Sequence, residues 1–288
     1  MLVNLNQVLV PARENGYCVG AFNIFNLETV DAVYRAALGL GSPVIFAFGE
    51  KYIEVANIGI IARIVQEFAG RTVLPMVLHL DHCKSIDVIY KAVQAGFTSV
   101  MLDGSRLTFS ENLAQTKKVV DFAHSVGVTV EAELGSVPFD HAQSEIPEEY
   151  LTKVDEAVRF VEETGVDALA VAIGTAHGEY KGRPRIYHDR LREIAGKVSI
   201  PLVLHGGSGV PEEDILEAVR TGISKINVNT QVSSAAVKRL KALCAKEKPG
   251  HLSDLLREAE DAMVEEVKAF IRIFTDVNKT PCTPNHAS

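Results

Sequence analysis

A single (β/α)8 barrel, the TIM barrel of the α/β class, is the fold that the sequence predicts. Eight short apolar runs recur along the 288 residues, and helical patterns separate most of them. The runs are nearly continuous in Val, Ile and Leu, which suits parallel strands buried on both faces. Eight strand-then-helix units in series favour a closed barrel. An open doubly wound sheet is the alternative, but the first strand lacks a G-x-G-x-x-G turn.

The predicted elements follow one another along the chain. The strands are Val19–Ile24, Pro43–Phe48, Pro75–Leu80, Ser99–Leu102, Val128–Leu134, Ala168–Ile173, Pro201–Leu204 and Lys225–Val228. Apolar residues at three- and four-residue spacing predict the helices Leu27–Leu38, Ser85–Ala95, Ser110–Val126, Val154–Thr164, Tyr187–Ala195 and Glu212–Thr221. Two extra C-terminal helices, Ser233–Lys246 and Leu252–Ile273, are expected after the last strand. We therefore predict one domain over residues 1–275 and a disordered polar tail over 276–288.

Composition and charge argue against several classes of protein. A hydrophobic fraction of 47% allows a large core, and the net charge is −8 without any Lys/Arg stripe. Nucleic acids and anionic membranes are therefore poor candidate partners. The four cysteines, Cys18, Cys83, Cys244 and Cys282, are far apart and form no C-x-x-C pair, which indicates free thiols in a reducing compartment. With no signal-peptide pattern and no membrane-length apolar run, we expect a cytoplasmic enzyme.

Three histidines follow three different predicted strands. They are His82, His177 and His205, and the carboxyl ends of barrel strands are where reactive groups gather. A lone histidine is more often a core or loop residue. Three neutral imidazoles with an open coordination position are instead the arrangement of catalytic zinc. Zinc in such a site polarises a carbonyl group.

Four carboxylates lie along the same rim. They are Asp81, Asp103, Glu131 and Glu133. Carboxylates near a metal often orient the ligating imidazoles, and we expect this role for one or both of the two glutamates. Asp81 is adjacent to His82 and is the best candidate for acid–base work on a metal-held substrate.

A glycine-rich loop follows the seventh predicted strand. It reads Gly206-Gly207-Ser208-Gly209 and offers backbone N–H groups and a hydroxyl where barrels commonly bind phosphate. Two adjacent glycines alone would equally fit a tight turn. The neighbouring polar residues are Asn227, Asn229 and Thr230, and Gly178 and Lys181 after the sixth strand are expected to close the far side. Together they predict a phosphate site.

The motifs occur in a family order. LHLDHCKS, VEAELG, LAVAIGTAHGEYKGRP, PLVLHGGSGV and KINVNT together resemble the class II, zinc-dependent fructose-bisphosphate and tagatose-bisphosphate aldolases, over roughly residues 1–270. The resemblance implies reversible cleavage of a phosphorylated ketose, either a bisphosphate or a related ketose 1-phosphate. The products would be dihydroxyacetone phosphate and an aldehyde.

The resemblance also assigns roles to residues. His82, His177 and His205 would bind zinc, and Asp81 would donate a proton to the acceptor carbonyl in the condensation direction. The implied dihydroxyacetone phosphate contacts are Gly178, Lys181, Gly206, Ser208, Asn227 and Thr230. Asp103 and Glu133 match positions near the metal, and many members use Na⁺ or K⁺ near the phosphate. We also expect a homodimer or homotetramer.

The sequence departs from the family pattern in two functional segments. After the fifth strand the family usually has a Gly-Gly-x-Glu-Asp/Glu loop that supplies an acid–base glutamate, whereas this chain reads SVPFDHAQSEIPEEY. Glu145, Glu148 and Glu149 are substitutes by proximity only. Family members also have a C-terminal Asp-Pro-Arg, whose arginine often binds the distal phosphate of a bisphosphate. In this chain the corresponding residues are His251-Leu252-Ser253.

These departures predict an acceptor aldehyde other than glyceraldehyde 3-phosphate, including one with no phosphate. Arg183 or Arg185 in place of the lost arginine is the alternative explanation. In a smaller departure, Cys83 replaces the usual glycine after His82. That position is nearer to packing than to mechanism.

Three other functions compete with this one. A zinc-dependent barrel hydrolase would also use histidines, but amidohydrolase-type sites need a His-x-His pair that the first strand lacks. A Schiff-base aldolase needs a lysine at the rim, and Lys225 opens its predicted strand rather than ending it. A non-catalytic sugar-phosphate-binding homologue stays open because of the altered loop.

Overall fold

Eight parallel strands close into a barrel in the computed structural model, which describes residues 1–135, 147–176, 182–246 and 250–276. The strands are β1 (Val19–Asn23), β2 (Val44–Gly49), β3 (Met76–Cys83), β4 (Ser99–Leu102), β5 (Thr129–Leu134), β6 (Ala168–Val171), β7 (Leu202–Leu204) and β8 (Ile223–Val228). Each strand pairs with the next along the chain, and β8 also pairs with β1. The predicted (β/α)8 TIM barrel is therefore confirmed.

Helices surround the strands on the outside of the barrel. Those of the described residues are α1 (Asn6–Asn15), α2 (Leu27–Leu40), α3 (Ile58–Gly70), α4 (Ile86–Ala95), α5 (Phe109–Ser125), α6 (Val154–Thr164), α7 (His188–Lys197), α8 (Glu212–Thr221), α9 (Thr230–Cys244) and α10 (Leu252–Thr275). The two extra helices after the last strand, α9 and α10, pack against each other, and α10 also packs on α2. No helix in these described segments is long and apolar enough to cross a membrane.

Two of these helices were not predicted. Proline at position 11 lies inside α1, and a proline interrupts the local hydrogen-bond pattern that a helix needs. α3 begins where the side chain of Asn57 accepts hydrogen bonds from the backbone N–H groups of Gly59 and Ile60. This cap stabilises the helix start next to a glycine, which is a poor helix former.

α1 closes the amino-terminal end of the barrel. Its buried residues Val8, Leu9 and Ala12 join one apolar cluster with inward-facing strand residues such as Ile45 and Val77. Just before the helix, the backbone N–H of Leu5 donates to Thr129 Oγ1 at 3.0 Å. Apolar packing therefore fills the lower part of the barrel, and the polar side chains lie above it.

β3 is longer than predicted and carries an irregularity at its end. It continues to Cys83 rather than ending at Leu80, so Asp81 and His82 belong to the strand. The β3–β4 register shifts between Leu80 and Cys83. Among the residues described, His82 is the non-glycine residue with positive φ, at 47°. Such strained conformations cluster at functional sites, where the surrounding structure maintains them.

Candidate active site

A cavity of about 550 Å³ opens at the carboxyl ends of the strands. Eight of the residues predicted for the metal and phosphate sites line it: Asp81, His82, Asp103, Gly206, Ser208, Asn227, Asn229 and Thr230. Further lining residues, which no sequence motif indicated, include Asn23, Glu50, Lys51 and Lys84. His177, Gly178 and Lys181 lie outside the described residues. The cavity thus joins the predicted metal and phosphate residues of β3, β4, β7 and β8.

His82, which lines this cavity, and the buried His205 approach each other closely. Their ring centroids are 4.4 Å apart, in an edge-to-face arrangement. Glu133 Oε2 lies 3.1 Å from His205 Nδ1 and 3.7 Å from His82 Nδ1. The Nδ1 atoms of the two rings therefore face the same small space.

The ligand atoms around this space suit a metal ion. One ligand atom each from Asp81, His82 and His205 lie within 4.8 Å of one another, and the same holds for His82, Asp103 and Glu133. Imidazole nitrogens combined with carboxylate oxygens are donors that zinc accepts. The residues present therefore fit the metal that the sequence motifs imply.

Asp103 and Glu133 support these rings from β4 and β5. Asp103 Oδ2 lies 3.4 Å from His82 Nδ1, and Ser105 Oγ donates to Asp103 Oδ1 at 2.6 Å. Burial opposes ionisation of Asp103, but the hydrogen bonds from His82 and Ser105 prevail and hold its pKa below the usual range. The buried amide of Asn112, from α5, donates to the backbone oxygen of Glu133 at 3.0 Å. Asn112 is a supporting residue that local sequence patterns did not indicate.

Asp81 is held by two asparagines. Asn23 Nδ2 donates to Oδ2 at 3.1 Å, and Asn227 Nδ2 donates to Oδ1 at 2.8 Å. Burial raises the pKa of Asp81, but the neighbouring His82 and Lys225 charges, with two further histidines, lower it well below its usual value. Asp81 is therefore an oriented carboxylate at neutral pH, able to accept a proton from a bound hydroxyl.

His205 lies between two carboxylates. Its Nε2 is 2.9 Å from Glu131 Oε1, on the side opposite Glu133. Burial lowers the pKa of His205, but the hydrogen bonds to Glu131 and Glu133 outweigh it and raise the pKa to about 9. The deeper His79 is fully buried, and its Nδ1 lies 2.8 Å from Ser99 Oγ. Burial, reinforced by the charge of Lys225, lowers the pKa of His79 to about 3, as expected for an interior residue.

The glycine-rich loop after β7 has the geometry of a close backbone approach. Gly206 has φ of 70°, and a Cβ there would lie 2.3 Å from the backbone oxygen of Ala176. A Cβ at Gly207 would lie 2.5 Å from the side chain of Ile226. Ser208 is 6% exposed, and its hydroxyl has no hydrogen-bond partner among the described residues. A buried hydroxyl of this kind is suited to an oxyanion of a ligand.

Thr230 stands beside this loop as the first residue of α9. The backbone N–H groups at a helix start attract anions. Asn229, just before it, donates through Nδ2 to the hydroxyl of Tyr52 at 3.1 Å, which ties β8 to the loop after β2. Backbone donors, Ser208 and the helix start thus adjoin one another at one end of the cavity.

The candidate substitutes for the missing family residues that fall within the described part of the chain do not line the cavity. Glu148 is 83% exposed and pairs with Arg190 at 3.1 Å, and neither it nor Glu149 is among the described residues that line the cavity. Glu145 lies outside the described residues. Arg183 pairs with Glu213 and Asp214, each at 3.0 Å.

Arg185 lies over the ring of Tyr187, 4.9 Å from its centroid. His251 caps α10 by accepting a hydrogen bond from the backbone N–H of Ser253. Among the described lining residues of the cavity the only long cationic side chains are those of Lys51 and Lys84. Neither Arg183 nor Arg185 is among the described residues that line the cavity.

The chain matches known proteins over nearly its whole length. The sequence model of the class-II fructose-bisphosphate aldolases matches residues 3–279. A sulfofructosephosphate aldolase from Alkalicoccus urumqiensis is 38% identical over 276 residues, covering 94% of this chain and 96% of the relative. A fructose-bisphosphate aldolase from Staphylococcus aureus is 39% identical over 284 residues, covering 96% and 99%.

Solved structures give the same picture. The YdjI aldolase from Escherichia coli K12 superposes with a TM-score of 0.84 at 33% identity, covering 95% of this chain and 97% of that chain. A putative fructose-1,6-bisphosphate aldolase from Coccidioides immitis has a TM-score of 0.82 at 28% identity, covering 95% and 96%. The sequence matches and the structural matches thus indicate the same family of proteins.

Proposed function

Since the chain belongs to the class-II fructose-bisphosphate aldolase family, we propose that it is a zinc-dependent enzyme cleaving a C1-phosphorylated ketose to dihydroxyacetone phosphate and an aldehyde. Members of this family are metal-dependent lyases, which argues against the barrel-hydrolase alternative. The observation that carries the proposal is the approach of His82 and His205 beside the oriented carboxylate of Asp81. Lys225 does not support the Schiff-base alternative, because it is fully buried within β8 and paired with Glu131.

His82, His177 and His205 would hold the zinc ion. When bound there, zinc polarises the ketose carbonyl. Asp103 orients the ring of His82 from the end of β4, and Glu133 faces the Nδ1 atoms of His82 and His205. A Na⁺ or K⁺ ion near the phosphate stays a prediction.

Asp81 would move the proton of the reacting hydroxyl. In the cleavage direction its carboxylate accepts the proton from the C4 hydroxyl, and in condensation it returns that proton to the acceptor carbonyl oxygen. The amides of Asn23 and Asn227 fix both carboxylate oxygens before substrate arrives, which reduces the cost of orientation. Asn227 would in addition contact dihydroxyacetone phosphate, together with Gly178, Lys181, Gly206, Ser208 and Thr230.

Replacing Ser208 by alanine should weaken binding of the C1 phosphate. A hydrogen bond to a charged group contributes about 1.5–3 kcal/mol, so KM for the ketose phosphate is expected to rise roughly 10- to 100-fold. The turnover number should stay nearly constant, because the phosphate contact is equally present in the ground and transition states. Steady-state kinetics and inhibition by inorganic phosphate measure this.

Ser125→Ala is the control for Ser208→Ala. Ser125 is the exposed last residue of α5, at the end of the barrel opposite the cavity. The KM of the Ser125→Ala variant should therefore equal that of the wild-type protein. An unchanged KM in Ser208→Ala, or a loss confined to turnover, would remove Ser208 from the phosphate site.

Substrate preference should differ from that of an ordinary fructose-bisphosphate aldolase. A phosphate dianion is best recognised by the bidentate fork of an arginine, and lysine acts as a point charge. Lysines 51 and 84 are the long cations among the described lining residues. We expect the highest kcat/KM for a ketose 1-phosphate whose distal carbon bears a group other than phosphate. The A. urumqiensis relative, by its name, acts on a sulfofructosephosphate.

A panel of substrates tests this preference. It comprises fructose 1,6-bisphosphate, tagatose 1,6-bisphosphate, their 1-phosphate counterparts and the sulfofructose phosphate, each assayed for kcat/KM. A hundredfold preference for either bisphosphate, roughly 2.7 kcal/mol of transition-state binding, would restore the ordinary bisphosphate aldolase assignment. Such a result would leave the aldolase proposal itself intact.

A further inference from the structure

A buried ion pair crosses the inside of the barrel beneath the active-site cavity. Lys225 Nζ, from β8, lies 2.8 Å from Glu131 Oε2 and 3.0 Å from Oε1, and both side chains are fully buried. Removing two charges from water is costly, and hydrophobic residues of equal volume often serve stability as well or better. Stability alone therefore gives a weak reason for this pair. Neither residue is among the described residues that line the cavity.

The pair contacts His205 from below. Glu131 Oε1 lies 2.9 Å from His205 Nε2, whereas Glu133 Oε2 lies 3.1 Å from Nδ1 of the same ring. The Glu133 oxygen is also 3.7 Å from His82 Nδ1. The Nδ1 side of His205 thus faces Glu133 and His82, and its Nε2 side faces the Lys225–Glu131 pair.

We propose that Lys225 and Glu131 form a positioning pair that fixes the imidazole of His205 for metal binding; this inference rests on the proposed zinc site. Lys225 contacts both oxygens of the Glu131 carboxylate and so restrains its rotation. The restrained carboxylate accepts a hydrogen bond from Nε2–H, which sets both the ring orientation and the nitrogen presented to the metal.

The two strands that carry the pair explain why it is rigid. Glu131 and Glu133 are two residues apart on β5 and therefore point to the same side of the strand, into the barrel. Glu131 lies below His205 and Glu133 lies beside it. Lys225 enters from β8, which neighbours the β7 strand preceding His205. The deeper His79 also approaches the pair, with its Nε2 3.7 Å from Glu131 Oε2. The support for His205 is thus built on strands rather than on loops.

Zinc affinity and the spectrum of the cobalt-substituted protein test the proposal. The variants are Lys225→Met, which keeps the length of the side chain without its charge, and the double variant Lys225→Met/Glu131→Gln, which leaves no unpaired charge. Partners of metal-bound histidines typically contribute 10- to 100-fold in affinity, so each variant should bind zinc roughly 10- to 100-fold more weakly in chelator competition. The visible cobalt spectrum should also change, because the geometry of one ligand changes.

Val65→Ala is the matched control for lost stability. Val65 is fully buried in α3 on the outside of the barrel, and its truncation should lower the melting temperature while zinc affinity and the cobalt spectrum stay native. If Lys225→Met does not fold, the double variant carries the test. Native zinc affinity with a native cobalt spectrum in either folded variant would overturn the positioning role. A wild-type protein that binds no stoichiometric zinc would instead overturn the proposed function.

Discussion

His205→Ala is expected to abolish metal binding and activity together. His205 contributes one of two described imidazoles that face the same space, and zinc needs three protein ligands to leave a catalytic position open. The metal supplies several kcal/mol of transition-state stabilisation, so kcat should fall at least about 10³-fold. Metal analysis of the purified variant and a coupled cleavage assay measure the two losses.

Folding must be checked in the same variant. Removing His205 deprives the buried carboxylates Glu131 and Glu133 of a partner, and breaking such buried contacts costs about 3–5 kcal/mol. His82→Ala is the second variant, because the side chain of His82 is 22% exposed and less is lost on truncation. His124→Ala is the inert control, since that exposed ring pairs with Asp167 on the outside. Full zinc content in His205→Ala would refute the ligand assignment.

Asp81→Ala is expected to keep the metal and lose turnover. The carboxylate is fixed by Asn23 and Asn227 at the cavity floor, where it can exchange a proton with the reacting oxygen. A general acid–base group contributes roughly 10²–10⁴-fold to the rate, and kcat should fall by that factor. Zinc stoichiometry and inhibition by inorganic phosphate should remain at wild-type values. Single-turnover kinetics would show that the chemical step, and not product release, is slowed.

Two comparisons sharpen the test of Asp81. Asp121→Ala changes an exposed residue that pairs with Lys117 on α5, and its kinetics should equal those of the wild type. If Asp81→Ala instead loses zinc, then Asp81 is a metal ligand, as its place in one of the candidate metal groups permits. A drop in kcat below threefold would exclude Asp81 from the mechanism.

The barrel and the rim residues could be predicted because both follow from local patterns. Ser99–Leu102, Val154–Thr164 and Glu212–Thr221 have the predicted bounds. Each of these segments is delimited by neighbours in sequence, as at Gly165, which ends α6 in the left-handed conformation. The predicted residues Asp81, His82 and His205 meet because parallel strands bring their carboxyl ends to one face.

Other elements were missed because their stability comes from distant contacts. α1 contains a proline and gains its stability by packing its apolar face into the end of the barrel. The end of β3 was predicted too early, since its last residues pair with β2 and β4 despite being polar. Neither feature is visible in the periodicity of the segment itself.

The sequence by itself determined the strand-helix order and the chemical groups at the strand ends, because hydrophobic periodicity and turn residues act over a few residues. Only the tertiary structure decided which side chains hydrogen-bond to, or pair with, the chemical groups at the strand ends. Asn23 reaches Asp81 across 58 positions, and Lys225 reaches Glu131 across 94 positions. These contacts depend on the stagger of the strands in the closed barrel, which is set by the packing of the whole interior and not by any one segment.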